Sequence, residues 1–396
     1  MSRPLLPKTL SLTLQAQRDK LSSRATEWRR DSRRVLANAN DRFLRTRELT
    51  RSDQTPYEVL HDNGLVKLRY YLPLSESDIA LGEDRLAVKT ERHRVPVVLV
   101  PPLAVNMNIY DFFPERSLVK FLLAQGFAVY LIDWGRPTLR HTHYNLETYI
   151  ADFMPDYLSH VRRHAGVDAL SLHGWSIGGV LSLGYAALSK DPNIHNLVII
   201  GTPINGHASG ALGKMYQRLA KQAAWVRKHT GFRVHNLSPK LLHTPGWINA
   251  LSFKMLSPAN SLLGYWELLT RLDDREFVIN HATNGAFLDD MVAYPGGVIQ
   301  DMIIRIWIDN DLADGRIKLG KHQLDFADIK ASLLAIAGKQ DTMVTADAMR
   351  PLPDLIGSDD GRLELVSGGH MGILAGSKTP TEAWPMLAAW LKDRSD

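Results

Sequence analysis

Three residues in this chain have the types, order and surroundings for covalent acyl chemistry: Ser176, Asp341 and His370. A serine hydroxyl is a weak nucleophile near neutral pH. It needs a base within hydrogen-bond reach, and the base needs a carboxylate to hold its tautomer and orientation. Ser176 sits in His173-Gly174-Trp175-Ser176-Ile177-Gly178-Gly179. The flanking glycines lack a Cβ, so a strand and a helix can meet at a very sharp turn with the serine at its tip. The amide of Ile177, at the start of the helix, would then face a developing oxyanion. A Gly-x-Ser-x-Gly match is common by chance, so its weight comes from its context.

The elements around these residues supply that context. Residues 167–172 end in a short strand-like run, and 179–190 are small, apolar and helical in character. Residues 66–72, 95–100, 127–133, 197–201, 332–338 and 362–366 read as strands. Several are continuous apolar runs of the kind buried on both faces of a parallel sheet. Helices are expected over 117–125, 145–164 and 380–392, the last with Pro380 in its first turn. Strands alternating with helices imply a mostly parallel sheet with helices on both faces, an α/β-hydrolase fold. Asp341 follows strand 332–338, and His370 lies on the Gly-rich loop after the last strand. Open α/β sheets place their sites at such carboxyl ends, and the chain order Ser, Asp, His is the one this fold uses. The loop after 95–100 supplies the second oxyanion amide in this fold, which makes Leu103 or Ala104 the candidate. Asp133 also ends a strand but precedes the serine, so its expected role is structural.

The rhythm breaks between 204 and 330. That stretch shows no clear buried strand and has helical segments at 210–228, 261–272 and 297–310, as a mainly helical cap insertion would. The division is then an N-terminal arm at 1–54, a core at 55–203, the cap at 204–330 and the rest of the core at 331–396. Two motifs carry less. His141 and His143 form a His-x-His pair without a third ligand in view, so a surface loop is expected and no metal site. Asp309-Asn310-Asp311-Leu312-Ala313-Asp314-Gly315 resembles a calcium loop but lacks the closing Glu, so it reads as an acidic helix end and a turn.

The net charge of +5 is uneven. Residues 1–54 carry thirteen Lys/Arg against six Asp/Glu, so the arm is +7 and the remainder near −2. Within 10–48, Leu14, Leu21, Trp28 and Val35 recur every seven residues, with Leu36 and Phe43 close to the same stripe. This is a basic amphipathic helix or helix pair, suited to packing on its own body or to docking a second subunit or a polyester granule surface. No nucleic-acid motif accompanies the charge. With no cysteine there is no disulfide, thiolate metal site or thiol nucleophile. No stretch is long and apolar enough to span a bilayer, and the first fifteen residues lack a signal-peptide core. A soluble cytoplasmic protein without a cofactor is expected.

Motifs across the body resemble polyhydroxyalkanoate synthases, especially the class that works with a second subunit. The resemblance rests on Thr55-Pro56-Tyr57-Glu58-Val59, Asn106-Met107-Asn108-Ile109-Tyr110-Asp111, Pro114-Glu115-Arg116-Ser117-Leu118-Val119, Val129-Tyr130-Leu131-Ile132-Asp133-Trp134-Gly135, Leu272-Asp273-Asp274-Arg275-Glu276, Asn310–Gly315 and Gly368-Gly369-His370-Met371-Gly372. It spans about residues 55–394. It implies a capped α/β-hydrolase fold, Asp341 and His370 as catalytic acid and base, hydroxyacyl-CoA as substrate, and acyl transfer onto a growing polyester. Those synthases use cysteine where this chain has Ser176, and Thr342 stands where their acid is commonly followed by His. A serine acyl-enzyme is an oxoester, less activated toward a hydroxyl than a thioester. The reading is therefore serine-dependent hydrolysis of hydroxyacyl esters or thioesters, polyester fragments among them. The alternatives are a synthase-type acyltransferase using 3-hydroxyacyl-CoA and a non-catalytic granule- or partner-binding protein.

Overall fold

The computed structural model describes residues 32–255 and 258–395. Eight strands form one sheet: β1 (Tyr57–Asp62), β2 (Lys67–Tyr71), β3 (Val97–Val100), β4 (Val129–Asp133), β5 (Leu170–Trp175), β6 (Ile194–Ile200), β7 (Ser332–Gly338) and β8 (Gly361–Val366). Their spatial order is β1-β2-β4-β3-β5-β6-β7-β8. The hairpin β1–β2 and the β2–β4 pair are antiparallel, and every other pair is parallel. The expected apolar runs account for the middle of this sheet: every residue of β3 and β5 is buried. The edge hairpin was only half legible, because β1 alternates weakly and has a register shift between Val59 and His61.

Helices α1 (Leu118–Ala124), α2 (Met154–Ala165), α3 (Ile177–Ser189), α4 (Gly210–Thr230), α5 (Gly246–Met255), α6 (Pro258–Thr270), α7 (Arg275–Asp289) and α8 (Ala383–Lys392) complete the main elements. Other places differ from expectation for identifiable reasons. The segment before α2 is a π-helical turn, Thr148–Phe153. Pro155 follows it and donates no amide hydrogen bond, so a wider turn loses nothing there. Helix α8 starts at Ala383, and Pro380 lies in the preceding turn, outside the helix. The stretch 204–330 does hold buried strand structure: Arg316–Leu319 pairs with His322–Asp325, burying Ile317, Leu319 and Leu324 in the main core. Four-residue strands alternating with Lys and Gln leave too few apolar positions to read as a pattern.

The chain divides into two compact units. Ser52–Ser252 joins the chain from Asp289 onward, and Phe253–Leu288 joins the N-terminal segment up to Arg51. In the smaller unit, residues 32–44 are helical and Thr46–Leu49 adds a further turn. Its apolar core is Leu49, Leu268, Val278 and Ala282. Only the end of the expected stripe falls within the described residues. Leu36 and Phe43 are exposed, while Asn38 and Arg42 are buried, because the helix faces polar groups. The Asn38 side-chain amide donates to the Leu272 carbonyl at 2.7 Å, and Arg42 Nε donates to His281 Nδ1 at 3.2 Å. Leu14, Leu21 and Trp28 lie outside the described residues. Among the described residues no helix is long and apolar enough to cross a membrane.

Candidate active site

Ser176 stands between β5 and α3 with φ 55° and ψ −124°, a left-handed conformation that L-residues avoid. Its neighbours require glycine. A Cβ on Gly178 would lie 2.0 Å from the Val100 carbonyl oxygen, and one on Gly179 would lie 1.9 Å from Thr202 Oγ1. The strained turn is held by hydrogen bonds: the Ser176 amide donates to the Ile200 carbonyl at 2.8 Å, and Thr202 Oγ1 donates to the Ser176 carbonyl at 3.1 Å.

The three residues singled out by type and order come together. His370 Nε2 is 3.0 Å from Ser176 Oγ, and His370 Nδ1 is 2.8 Å from Asp341 Oδ2. They come from three different loops, 194 and 29 residues apart in sequence. Asp341 is buried, and its Oδ1 accepts the amides of Met343 and Val344, each at 2.9 Å. Those two bonds fix the carboxylate, so its other oxygen faces the imidazole. An imidazole held this way donates from Nδ1 and presents Nε2 to the hydroxyl as an acceptor.

Ile177 is the first residue of α3, so its amide is one that the helix leaves without an internal acceptor. Leu103 and Ala104 are buried in the loop after β3. That loop is fastened at several points: the Trp134 indole donates to the Pro101 carbonyl (2.8 Å), the Val292 amide to the Ala104 carbonyl (2.8 Å), and the Asn106 side chain to the Asp290 carbonyl (3.1 Å).

Two supporting residues had no readable signal. The Trp175 indole donates to the His370 carbonyl at 3.2 Å, and its ring lies 5.5 Å from the imidazole, so it holds the histidine loop from behind. Gly201 has φ 53°, and a Cβ there would lie 3.4 Å from the His370 ring and 2.9 Å from Ile373 Cδ1. A tryptophan between the elbow's Gly and Ser and a glycine ending an apolar strand look ordinary in sequence. His173, three residues before the serine, stays apart from the triad. It is fully buried, and burial pushes its imidazole down to about 4.

The weaker motifs fall outside this constellation. Asp133 Oδ2 accepts from Arg69 at 2.6 Å and its Oδ1 accepts the Gly135 amide at 3.0 Å, a structural pairing. His141 Nδ1 accepts the Thr138 amide at 3.0 Å and caps a short helical turn. In the acidic loop the side chains diverge: Asp309 pairs with Arg227, Asp311 with Arg305, and Asn310 Oδ1 accepts the Gly206 amide.

Comparison with known proteins adds to this geometry. Residues 95–377 match the α/β-hydrolase fold family. The chain is 31% identical over 313 residues to the poly(3-hydroxyalkanoate) polymerase subunit PhaC of Allochromatium vinosum, covering 78% of this chain and 84% of that protein. It is 26% identical over 395 residues to the subunit of the same name from Haloferax mediterranei, covering 99% of this chain and 73% of that one.

Proposed function

The chain belongs to the poly(3-hydroxyalkanoate) polymerase family on the α/β-hydrolase fold, and from that premise we propose that it transfers hydroxyacyl groups through an acyl-enzyme on Ser176. The observation that carries the proposal is the hydrogen-bonded line Ser176–His370–Asp341, at 3.0 and 2.8 Å, behind a strained serine.

In the first half-reaction His370 Nε2 takes the proton of Ser176 Oγ as the oxygen attacks the thioester carbonyl of a hydroxyacyl-CoA. Negative charge collects on the carbonyl oxygen, where the amides of Ile177 and of Leu103 or Ala104 donate to it. The carbon–sulfur bond then breaks, and the proton on His370 passes to the departing thiolate. The acyl group remains on Ser176 as an oxoester. In the second half His370 removes a proton from the hydroxyl of another hydroxyacyl unit, whose oxygen attacks the acyl carbon. The Ser176 ester bond breaks and the proton returns to Oγ. The chain grows by one ester. Cleavage of the thioester drives the first half, and exchange between two oxoesters is close to thermoneutral.

Hydrolysis is the second reading, and Ser176 itself favours it. The family resemblance implies cysteine at this position, whose thioester a hydroxyl attacks more readily. With an oxoester, water competes better with the hydroxyl unless the site is kept dry. Product analysis separates the readings. Incubate the protein with 3-hydroxybutyryl-CoA and a medium-chain homologue, then follow CoA release and acyl products by mass spectrometry. Hydroxyacyl oligomers support transfer. Free hydroxy acid alone supports hydrolysis. Intact thioester from both substrates contradicts the proposal.

The basic N-terminal segment is proposed to dock on a second subunit or on a polyester granule surface in the cytoplasm. Its exposed Leu36, Phe43 and Leu44 lie among arginines, an apolar surface with charged flanks. Removal of residues 1–50 should abolish co-sedimentation with polyester granules; unchanged co-sedimentation contradicts docking on granules.

A further inference from the structure

A second chemistry-bearing cluster lies at the edge of the sheet, with β2, β4 and β3 between it and β5, the strand that precedes Ser176. His61 is on edge strand β1, beside the register shift at Val59 and His61. Such irregularities re-aim a side chain out of the regular pleat. Asp156 and His160 are four residues apart on α2, so they share one helix face. His61 Nε2 is 3.3 Å from Asp156 Oδ2, and His160 Nε2 is 3.7 Å from Asp156 Oδ1. The two imidazoles are stacked, 3.9 Å between centres and 16° from parallel. One donor atom from each of the three residues lies within 4.8 Å of the other two.

The support around the cluster is built as well. Tyr157 meets the His61 ring edge-on at 5.0 Å, and its hydroxyl donates to the Val66 carbonyl at 2.5 Å. This fixes α2 against the β1–β2 hairpin. Among the described residues no Lys or Arg forms an ion pair with Asp156, whose partners are the two imidazoles. Side-chain exposures of 26%, 50% and 25% for His61, Asp156 and His160 leave the cluster open to solvent ions without a rearrangement of the fold.

We propose that His61, Asp156 and His160 form a divalent transition-metal site, for which zinc is the best-suited ion. Two imidazoles and one carboxylate make a borderline donor set that suits zinc. Magnesium and calcium prefer sites made wholly of oxygen. With metal–ligand bonds near 2.0–2.2 Å, tetrahedral zinc draws its donor atoms to roughly 3.3 Å apart. Coordination requires the two stacked rings to fan apart by side-chain rotation, so that their nitrogens converge on the ion. Water takes the fourth position. The bound ion clips the edge strand to α2. Ahead of α2, the π-helical turn packs Ile150 on Gly184 of α3, where a Cβ would lie 2.6 Å from Ile150 Cδ1. The site therefore stabilises the flank that supports the serine's helix and takes no part in acyl transfer. The spacing was invisible in sequence because His61 and Asp156 are 95 positions apart.

The test uses the full chain, stripped of metal with a chelator and titrated with zinc chloride. Bound zinc is measured after dialysis, and the thermal midpoint is followed in parallel. One zinc per chain is expected, with a rise of a few degrees in the midpoint at saturating metal. His61→Ala with His160→Ala should weaken binding at least tenfold and remove the rise, each protein being read against its own midpoint in chelator. Asp156→His, which offers a third imidazole, should retain binding. Magnesium chloride should leave the midpoint unchanged. Equal zinc binding and an equal rise in the double variant would overturn the proposal, as would a wild-type chain that neither binds zinc nor is stabilised by it.

Discussion

The two units of this chain hold themselves together by different means. In the larger unit the elbow helix meets the neighbouring strand ends so closely that side chains must be absent at key points. Gly178 and Gly179 have room for hydrogen alone against Val100 and Thr202. In the smaller unit the apolar core is small, and polar clasps do much of the joining. Arg275 bonds Asp41 at 2.7 Å and Asn38 at 3.0 Å, and Arg51 meets Glu276 at 2.8 Å. Leu36, Phe43, Leu44, Tyr265, Trp266 and Leu269 of that unit are exposed. Covalent catalysis needs atoms fixed to fractions of an ångström, which close packing provides. The docking proposed for the N-terminal segment needs exposed apolar area, and these side chains supply it.

This contrast orders the expected effects of substitution. Ser176→Ala and Asp341→Asn should each lower the rate of thioester cleavage by about 10⁴-fold or more, read as kcat/KM, with the thermal midpoint nearly unchanged. Rates within tenfold of wild type would break the account of the larger unit. Next comes Gly178→Ala, whose new Cβ meets backbone 2.0 Å away. A loss of about 4 kcal/mol or more in denaturant unfolding, or failure to fold, is expected. A soluble variant of wild-type stability would show that the elbow is not closed as described.

His173 probes the same interior through pH. Its folded value is pushed down to about 4 from 6.5, so the buried ring stays neutral in the folded state while the unfolded ring takes a proton near 6.5. The resulting penalty is absent above 6.5, grows as pH falls, and is complete near 4, reaching about 3 kcal/mol. His173→Leu should remove this component. The stability difference between wild type and variant, measured by urea unfolding from pH 7 to pH 4, should shift against wild type by that amount. A constant difference contradicts the burial of a neutral ring.

Substitutions in the smaller unit should act locally. Arg275→Ala removes bonds to Asp41 and Asn38, so amide exchange over residues 32–49 should quicken severalfold while β3 and β5 keep their protection. Phe43→Ala, at a residue 56% exposed, should change unfolding free energy by no more than about 0.5 kcal/mol. A larger loss would mean that Phe43 is covered by an element of its own unit.

The same contrast explains what could be read from sequence. Runs such as Val97–Val100 and Leu333–Ala337 have no polar side to hide, so buried parallel strands show directly in composition. The triad followed, because Asp341 stands just past such a run, Ser176 sits in the Gly-x-Ser-x-Gly turn, and His370 lies on a Gly-rich loop after the last strand. In the smaller unit the inward face of the N-terminal helix was not legible. Its inward face carries Asn38 and Arg42, whose partners are a carbonyl and a histidine more than 200 residues away. Apolar periodicity has no means of registering a face built for hydrogen bonds. The Arg316–Asp325 hairpin was missed for a related reason: its strands are four residues long and offer three buried apolar side chains between them. Trp175 acts through its indole N–H on the His370 carbonyl, a contact that residue type alone does not announce.

The most direct test of the central claim is capture of the acyl-enzyme. The protein is mixed with 3-hydroxybutyryl-CoA, quenched in acid within the first turnovers, digested and mapped by mass spectrometry. The account requires a 3-hydroxybutyryl mass on the peptide containing Ser176, absent from Ser176→Ala. Release of CoA by both proteins at equal rates, with no acylated Ser176 peptide, would contradict it.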